Sequence, residues 1–131
     1  IREEGTSFHY VPAGSTVAPD TDLVERLASA CGDLSVPFRR GPVWTTDAPF
    51  RELASKVTAY AAMGVLAVDM EAAALFAVAA LRGVRLAMIL AVADMVADPW
   101  RPGSLSPEVR SAQSRLAEIA TKCVSAGTKV G

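Results

Sequence analysis

The chain has 131 residues, with 13 basic and 14 acidic side chains. That is enough for one domain with a real core, and too evenly charged to expect nucleic acid or an anionic membrane as partner. Arg82, Arg85 and Asp94 interrupt the most apolar region, so no segment reaches the length of a membrane span. No signal peptide is visible either, and the expected location is cytoplasmic.

Cys31 and Cys123 lie far apart without metal-type spacing. They read as small apolar residues of a reducing compartment, with a disulfide as the lesser alternative. Hydrophobic residues make up 51% of the chain, which predicts apolar faces covered by further polypeptide or by another subunit. The opening Ile1-Arg2-Glu3-Glu4 lacks a methionine and suggests a piece of something longer.

In chain order, residues 5–11 alternate polar and aromatic side chains, as a short strand or a loop over a site would. Pro12 to Pro19 is a connector. Asp20 or Thr21 caps a predicted helix over 21–31, with Leu23, Val24, Leu27 and Cys31 on one face and Gly32 as terminator. Val36 to Thr46 reads as a strand ending in the polar cluster Thr45-Thr46-Asp47. A second helix is predicted from Phe50 to Met63, with Leu53, Val57 and Tyr60 at helical spacing and Gly64 at its end. A strand over 64–69, an Ala-rich helix over 70–82 closed by Gly83, and a strand over 84–93 then form a βαβ crossover. The runs are apolar without alternation, which predicts strands covered on both faces and a helix buried all round. After a loop over 94–105, Ser106-Pro107-Glu108 opens a last helix that runs to Gly127.

The run Gly64-Val-Leu-Ala-Val-Asp69-Met70-Glu71 is the most informative. Five uncharged residues lead into two acids separated by a methionine, and carboxylates in such surroundings either cap a helix or do chemistry. Ligands of open parallel sheets bind beyond the carboxyl ends of the strands. Asp69, Glu71 and Asp94 are therefore expected to converge on one edge, with Met70 beside them. A carboxylate there suits a vicinal diol, and a half-buried aspartic acid can hold or deliver a proton. The plainer alternatives are Asp69 as helix cap, Glu71 as a dipole-favoured acid and Asp94 as a loop residue. By default His9 is a hydrogen-bonded surface residue, Trp44, Phe50 and Trp100 are core or interface aromatics, and Arg39-Arg40 is solvated. There is no Gly-rich phosphate loop, nucleophile elbow or zinc signature.

The segment Gly64–Ala74 resembles the Val-Glu-Met-Glu-Ala/Ser-Ala/Thr signature of the hexameric nucleoside phosphorylase family. Ile1-Arg-Glu-Glu-Gly-Thr-Ser-Phe-His-Tyr10 is similar to that family's Arg-x-x-Gly-x-Ser-x-His-Phe stretch, best known in uridine phosphorylases. Thr46-Asp47-Ala-Pro-Phe50 resembles its base-pocket segment, and Val92-Ala93-Asp94 its Val-Ser-Asp strand end. The resemblance implies a three-layer αβα domain with a mostly parallel or mixed twisted sheet, of which these residues are a C-terminal portion. It implies phosphorolysis of nucleosides to free base and (deoxy)ribose 1-phosphate, purine slightly favoured over uridine. A nucleosidase using water, or a nucleoside-binding module without turnover, is the alternative.

Carried over residue by residue, Glu71 would bind the ribose hydroxyls and Met70 would line the sugar. Asp69 stands where the family often has the longer Glu. Asp94 would hydrogen-bond or protonate N7 of a purine as the glycosidic bond breaks, and Phe50 and His9 would complete the substrate-binding set. Pro49 occupies the place of a stacking aromatic. No metal or cofactor is implied beyond inorganic phosphate as co-substrate. The family's phosphate loop and arginines lie in an N-terminal half with no counterpart here. Family members assemble as dimers or trimers of dimers, so a homo-oligomer is expected.

Overall fold

A computed structural model describes residues 1–96 and 106–125. The chain folds as two units, one formed by residues 1–19 and 40–86, the other by 20–39 and 87–131. Trp100, most of the predicted 94–105 loop and the predicted helix end at Gly127 lie outside the described residues.

The first unit is a parallel sheet of three short strands, β1 (Arg2–Glu3), β2 (Val43–Thr46) and β3 (Ala67–Asp69), in that spatial order. Arg2 lies opposite Thr45, and Thr45 opposite Asp69; Glu3 pairs with Thr46, and Trp44 with Val68. Partners in register share a face and neighbours alternate. One face therefore carries Arg2, Thr45 and Asp69, and the other Glu3, Trp44, Thr46 and Val68. The second face is covered by the helix that follows β2, Ala54–Ala62. Its Tyr60 meets buried Trp44 edge-on, ring centroids 5.0 Å apart at 71°, and its Lys56 pairs with Glu3 and sits 5.9 Å from the Trp44 ring. The first face is covered by a 3-10 turn, Thr6–His9, and by the helix after β3, Ala72–Arg82, which pack on each other. Helices thus lie on both faces of a parallel sheet, the αβα arrangement expected.

Several boundaries move from their predicted places for identifiable reasons. The strand predicted from Val36 starts only at Val43, because Pro37 and Pro42 have no N–H to give a ladder. The helix predicted from Phe50 divides into a 3-10 turn, Pro49–Arg51, and the helix from Ala54. Within residues 5–11, expected as a short strand or a loop, Thr6–His9 forms a 3-10 turn and no strand is present. The Ala72–Arg82 helix buries only the stripe Ala72, Ala73 and Ala77, while Leu75 and Leu81 are exposed. The predicted strand over 84–93 is absent, so the βαβ crossover present is β2–helix–β3. An apolar run tells that a segment seeks cover; whether a strand lies beside it to pair with is a non-local matter.

In the second unit α1 (Thr21–Asp33) packs against α4 (Pro107–Ser125), the helices of the first unit being α2 (Ala54–Ala62) and α3 (Ala72–Arg82). Asp20 accepts from the Leu23 amide at 2.9 Å, and Ser106 from the Val109 amide at 3.2 Å, as the capping signals foretell. Ala30, Cys31, Ile119 and Cys123 form the core, joined by Leu27, Leu34, Val36 and Ile89. Both thiols are free, and burial pushes the Cys31 thiol pKa up. The Arg26 guanidinium donates to the Cys123 and Val124 carbonyls at the end of α4.

Gly32 does not end α1. The turn comes at Ser35, φ +52°, with the Ser35 amide donating to the Gly32 carbonyl and the Val36 amide to the Cys31 carbonyl. This is a Schellman turn built on serine, with Val36 supplying its apolar contact to the core. Gly64 and Gly83 make the same turn at the ends of α2 and α3, as expected.

Arg2 organises the segment that follows β1. Its Nε donates to Ser7 Oγ at 3.0 Å, and its other nitrogens donate to the carbonyls of Val11, Pro12 and Ser15 at 2.7–2.9 Å. The guanidinium also lies 4.5 Å from the centre of the Phe8 ring. The Arg and Ser of the opening motif thus act as one clamp that shapes the loop bearing His9.

Two outcomes are expected. Ile119, fully buried, should cost about 2–5 kcal/mol when cut to alanine, read as a lower urea midpoint at unchanged slope. Arg2→Lys cannot reproduce a four-bond fork from one ammonium. Proteolytic cleavage within residues 5–15 should rise by about tenfold, the counterpart of one lost charge-assisted bond.

Candidate active site

The three strands run parallel, so their carboxyl ends open on one edge, where Glu4-Gly5, Asp47 and Met70-Glu71 follow β1, β2 and β3. Asp47 Oδ2 accepts from the Gly5 amide at 2.8 Å and ties the first two exits together. Glu4 is buried; its Oε2 accepts from the Ser7 amide at 2.9 Å and its Oε1 meets no donor among the described residues.

The β3–α3 turn is held by Asp69. Its Oδ1 accepts from the Thr45 hydroxyl at 2.7 Å, while Oδ2 accepts from the amides of Glu71 at 3.0 Å and Ala72 at 2.6 Å. Thr45 Oγ1 in turn accepts from the Ala73 amide at 3.1 Å. Three of the free amides that open a helix are satisfied this way, so the cap alternative for Asp69 is what its hydrogen bonds show. Those amides are also occupied with respect to any anion that would seek the helix start.

With Asp69 facing inward, Met70 and Glu71 are turned to solvent. Met70 is 46% exposed, and Glu71 is exposed with no capping bond from its side chain. A carboxylate so placed accepts two hydrogen bonds from a diol, with the thioether alongside as an apolar surface. Phe50 lies beyond the end of β2 and is 98% exposed. His9 ends the 3-10 turn that packs on α3 and is also exposed. Asp69, Met70, Glu71, Phe50 and His9 all belong to the first unit.

Asp94 belongs to the second unit and is half-buried. No strand leads up to it, which corrects its expected place at a strand end. The predicted convergence of three carboxylates reduces, within the first unit, to the Asp69–Glu71 pair on one turn. Among the described residues no cluster of three or more His, Cys, Asp or Glu is arranged to hold a metal ion, and no helix is long and apolar enough to cross a membrane.

The sequence alone gives Thr45 and Glu4 no role, and Thr46-Asp47 only the base-pocket resemblance. The available signal was the pair of hydroxyls closing a strand before an acid. The Thr45 hydroxyl finds its acceptor 24 positions away and the Asp47 carboxylate its donor 42 positions away, beyond the reach of any local pattern.

The chain is similar to known proteins. The family model described as the phosphorylase superfamily matches residues 1–126. A guanosine phosphorylase of Halorubrum lacusprofundi is 34% identical over 91 residues, covering 70% of this chain and 38% of the relative. A purine nucleoside phosphorylase of the DeoD type from Myxococcus xanthus is 39% identical over 77 residues, 59% of this chain and 32% of its own length. A uridine phosphorylase of Treponema pallidum is 34% identical over 103 residues, 70% of this chain and 40% of the relative. The chain thus spans two-fifths or less of the length of these curated relatives. From the clamped opening segment through the Asp-Met-Glu turn to the last helix, the chain belongs to the phosphorylase superfamily.

Proposed function

We propose that this chain supplies the sugar- and base-handling part of a nucleoside phosphorylase that favours purine nucleosides over uridine. The observation that carries the reading is the β3–α3 turn. One acid is consumed in capping, and the next, Glu71, is left exposed beside Met70 at the carboxyl edge of a parallel sheet. Glu71 accepts hydrogen bonds from the two ribose hydroxyls, and Met70 covers the apolar side of the sugar. Phe50 and His9 complete the binding surface. Asp69 serves the sugar indirectly, through the turn it holds.

Asp94 hydrogen-bonds or protonates N7 of the purine. That stabilises the departing base as the bond from the anomeric carbon to nitrogen breaks and the carbon becomes cationic. A phosphate oxygen then bonds to the anomeric carbon, giving ribose 1-phosphate and free base. The purine preference draws on Asp94 and on relatives that are guanosine and purine nucleoside phosphorylases. The same reading has the protein working in the cytoplasm as a homo-oligomer. The exposed apolar side chains of Phe50, Met63, Leu75 and Leu81 support a covering subunit.

The test is chromatographic detection of base released from inosine, adenosine, uridine and methylthioadenosine, with and without phosphate. It is run on this chain and on any longer polypeptide that its reading frame encodes. Phosphate-dependent release, faster from purine nucleosides, is the expected result. Glu71→Gln should lower nucleoside affinity by about 10–100-fold, the range of a lost charge-assisted hydrogen bond. Release without phosphate would replace the phosphorylase with a nucleosidase, and binding without release would leave a nucleoside-binding module.

A further inference from the structure

We infer that Thr45 is a positioning residue for the nucleoside's sugar: its hydroxyl holds Asp69, and through Asp69 the backbone of Glu71, in the place where the Glu71 carboxylate meets the ribose. The inference rests on the ribose role of Glu71 proposed above.

The hydrogen bonds leave one arrangement of protons. The Ala73 amide can only donate, so Thr45 Oγ1 accepts from it, and the single hydroxyl proton points to Asp69 Oδ1. Asp69 Oδ2 is then free to accept from the amides of Glu71 and Ala72. Ala73, Thr45, Asp69 and the Glu71–Ala72 pair make one connected network around the start of α3. Each bond in it polarises the next.

Thr45 is suited to the task. It is 1% exposed and lies on the central strand, held by backbone pairing to β1 and β3. Its β-branched side chain has few rotamers to lose. Glu71 sits at the other end of the network with its own amide bonded to Asp69. Its backbone, φ −128° and ψ −27°, lies outside the helical pair of values. That amide bond keeps the residue at the lip of the turn rather than wound into α3. Without the hydroxyl, Asp69 keeps its charge but loses the partner that orients it, and the turn gains freedom.

The test measures inosine affinity by titration calorimetry, with amide hydrogen exchange at Glu71, Ala72 and Ala73 followed in parallel. Thr45→Val, nearly the same shape, should weaken inosine binding by about tenfold and speed exchange at those amides, as loss of one hydrogen bond to a charged acceptor would. Thr45→Ser, which keeps the hydroxyl, should restore both. In the double variant Thr45→Val/Glu71→Gln, the Thr45 change should add little to the loss caused by Glu71→Gln alone. A general loss of stability would instead multiply the two losses. If Thr45→Val does not fold, Asp69→Ala decides, because alanine offers neither the Thr45 hydroxyl nor the α3 amides an acceptor: about tenfold weaker binding supports the network, and unchanged binding overturns it.

Glu71→Gln weakening inosine binding while Thr45→Val leaves it unchanged overturns this inference alone. Glu71→Gln indistinguishable from the unmodified chain overturns the ribose reading, and this inference falls with it.

Discussion

The carboxylate of Asp69 is the constraint on which the carboxyl edge of the sheet depends. A half-buried acid is costly unless its oxygens are met by donors, and here three donors meet it, one from β2 and two from the start of α3. Short reach is what makes this possible. With one methylene, Asp folds back onto amides two and three residues ahead; a glutamate at the same place would carry its carboxylate past them. The strand end, the helix start and the neighbouring strand are thereby joined at one side chain. The next two residues have only one way to face, and that is outward.

The strand alternation of β2 divides labour between the two faces of the sheet. Trp44 serves packing on the α2 side, where the Tyr60 ring and the Lys56–Glu3 pair close over it. Thr45, one residue on, serves the polar network on the α3 side. Arg2 repeats the logic on β1, turned to the same face as Thr45 and committed to the loop that carries His9. The aromatic packing of the unit therefore lies on the α2 face of the sheet and the polar network on the α3 face. A slip of one residue in β2 would exchange the two and bury the hydroxyl under Tyr60. The register is held on both sides of β2, which is why so short a sheet can carry a defined edge.

What could be read in the sequence follows from how far apart the interacting residues lie. Asp20 and Ser106 as caps, and Gly64 and Gly83 as helix ends, are settled by neighbours three or four positions away, and all four stand where expected. Ser35 was illegible because its left-handed turn is sustained by two backbone bonds and the contact of Val36 with the core, rather than by residue type. The apolar run over 84–93 promised cover and received a strand assignment it could not justify, since Ile89 finds its cover in the second unit's core. At the site, a turn at Met70-Glu71 could be expected from an apolar run that ends in two acids. The link from Thr45 to Asp69 could not, because it exists only once β2 and β3 are set in register.

Two acids two residues apart would repel each other if both stood in solvent or both turned inward. Asp69 and Glu71 escape the conflict by environment. Asp69 is surrounded by amide dipoles and the positive end of α3, which compensate its charge, whereas Glu71 has water to do so. This separation also sorts their chemistry. A carboxylate that already accepts three hydrogen bonds has little left to offer a ligand, while one that caps nothing keeps its acceptor positions for a diol. The acid that looks deeper in the apolar run thus holds the turn, and the one two residues later stands exposed at its surface.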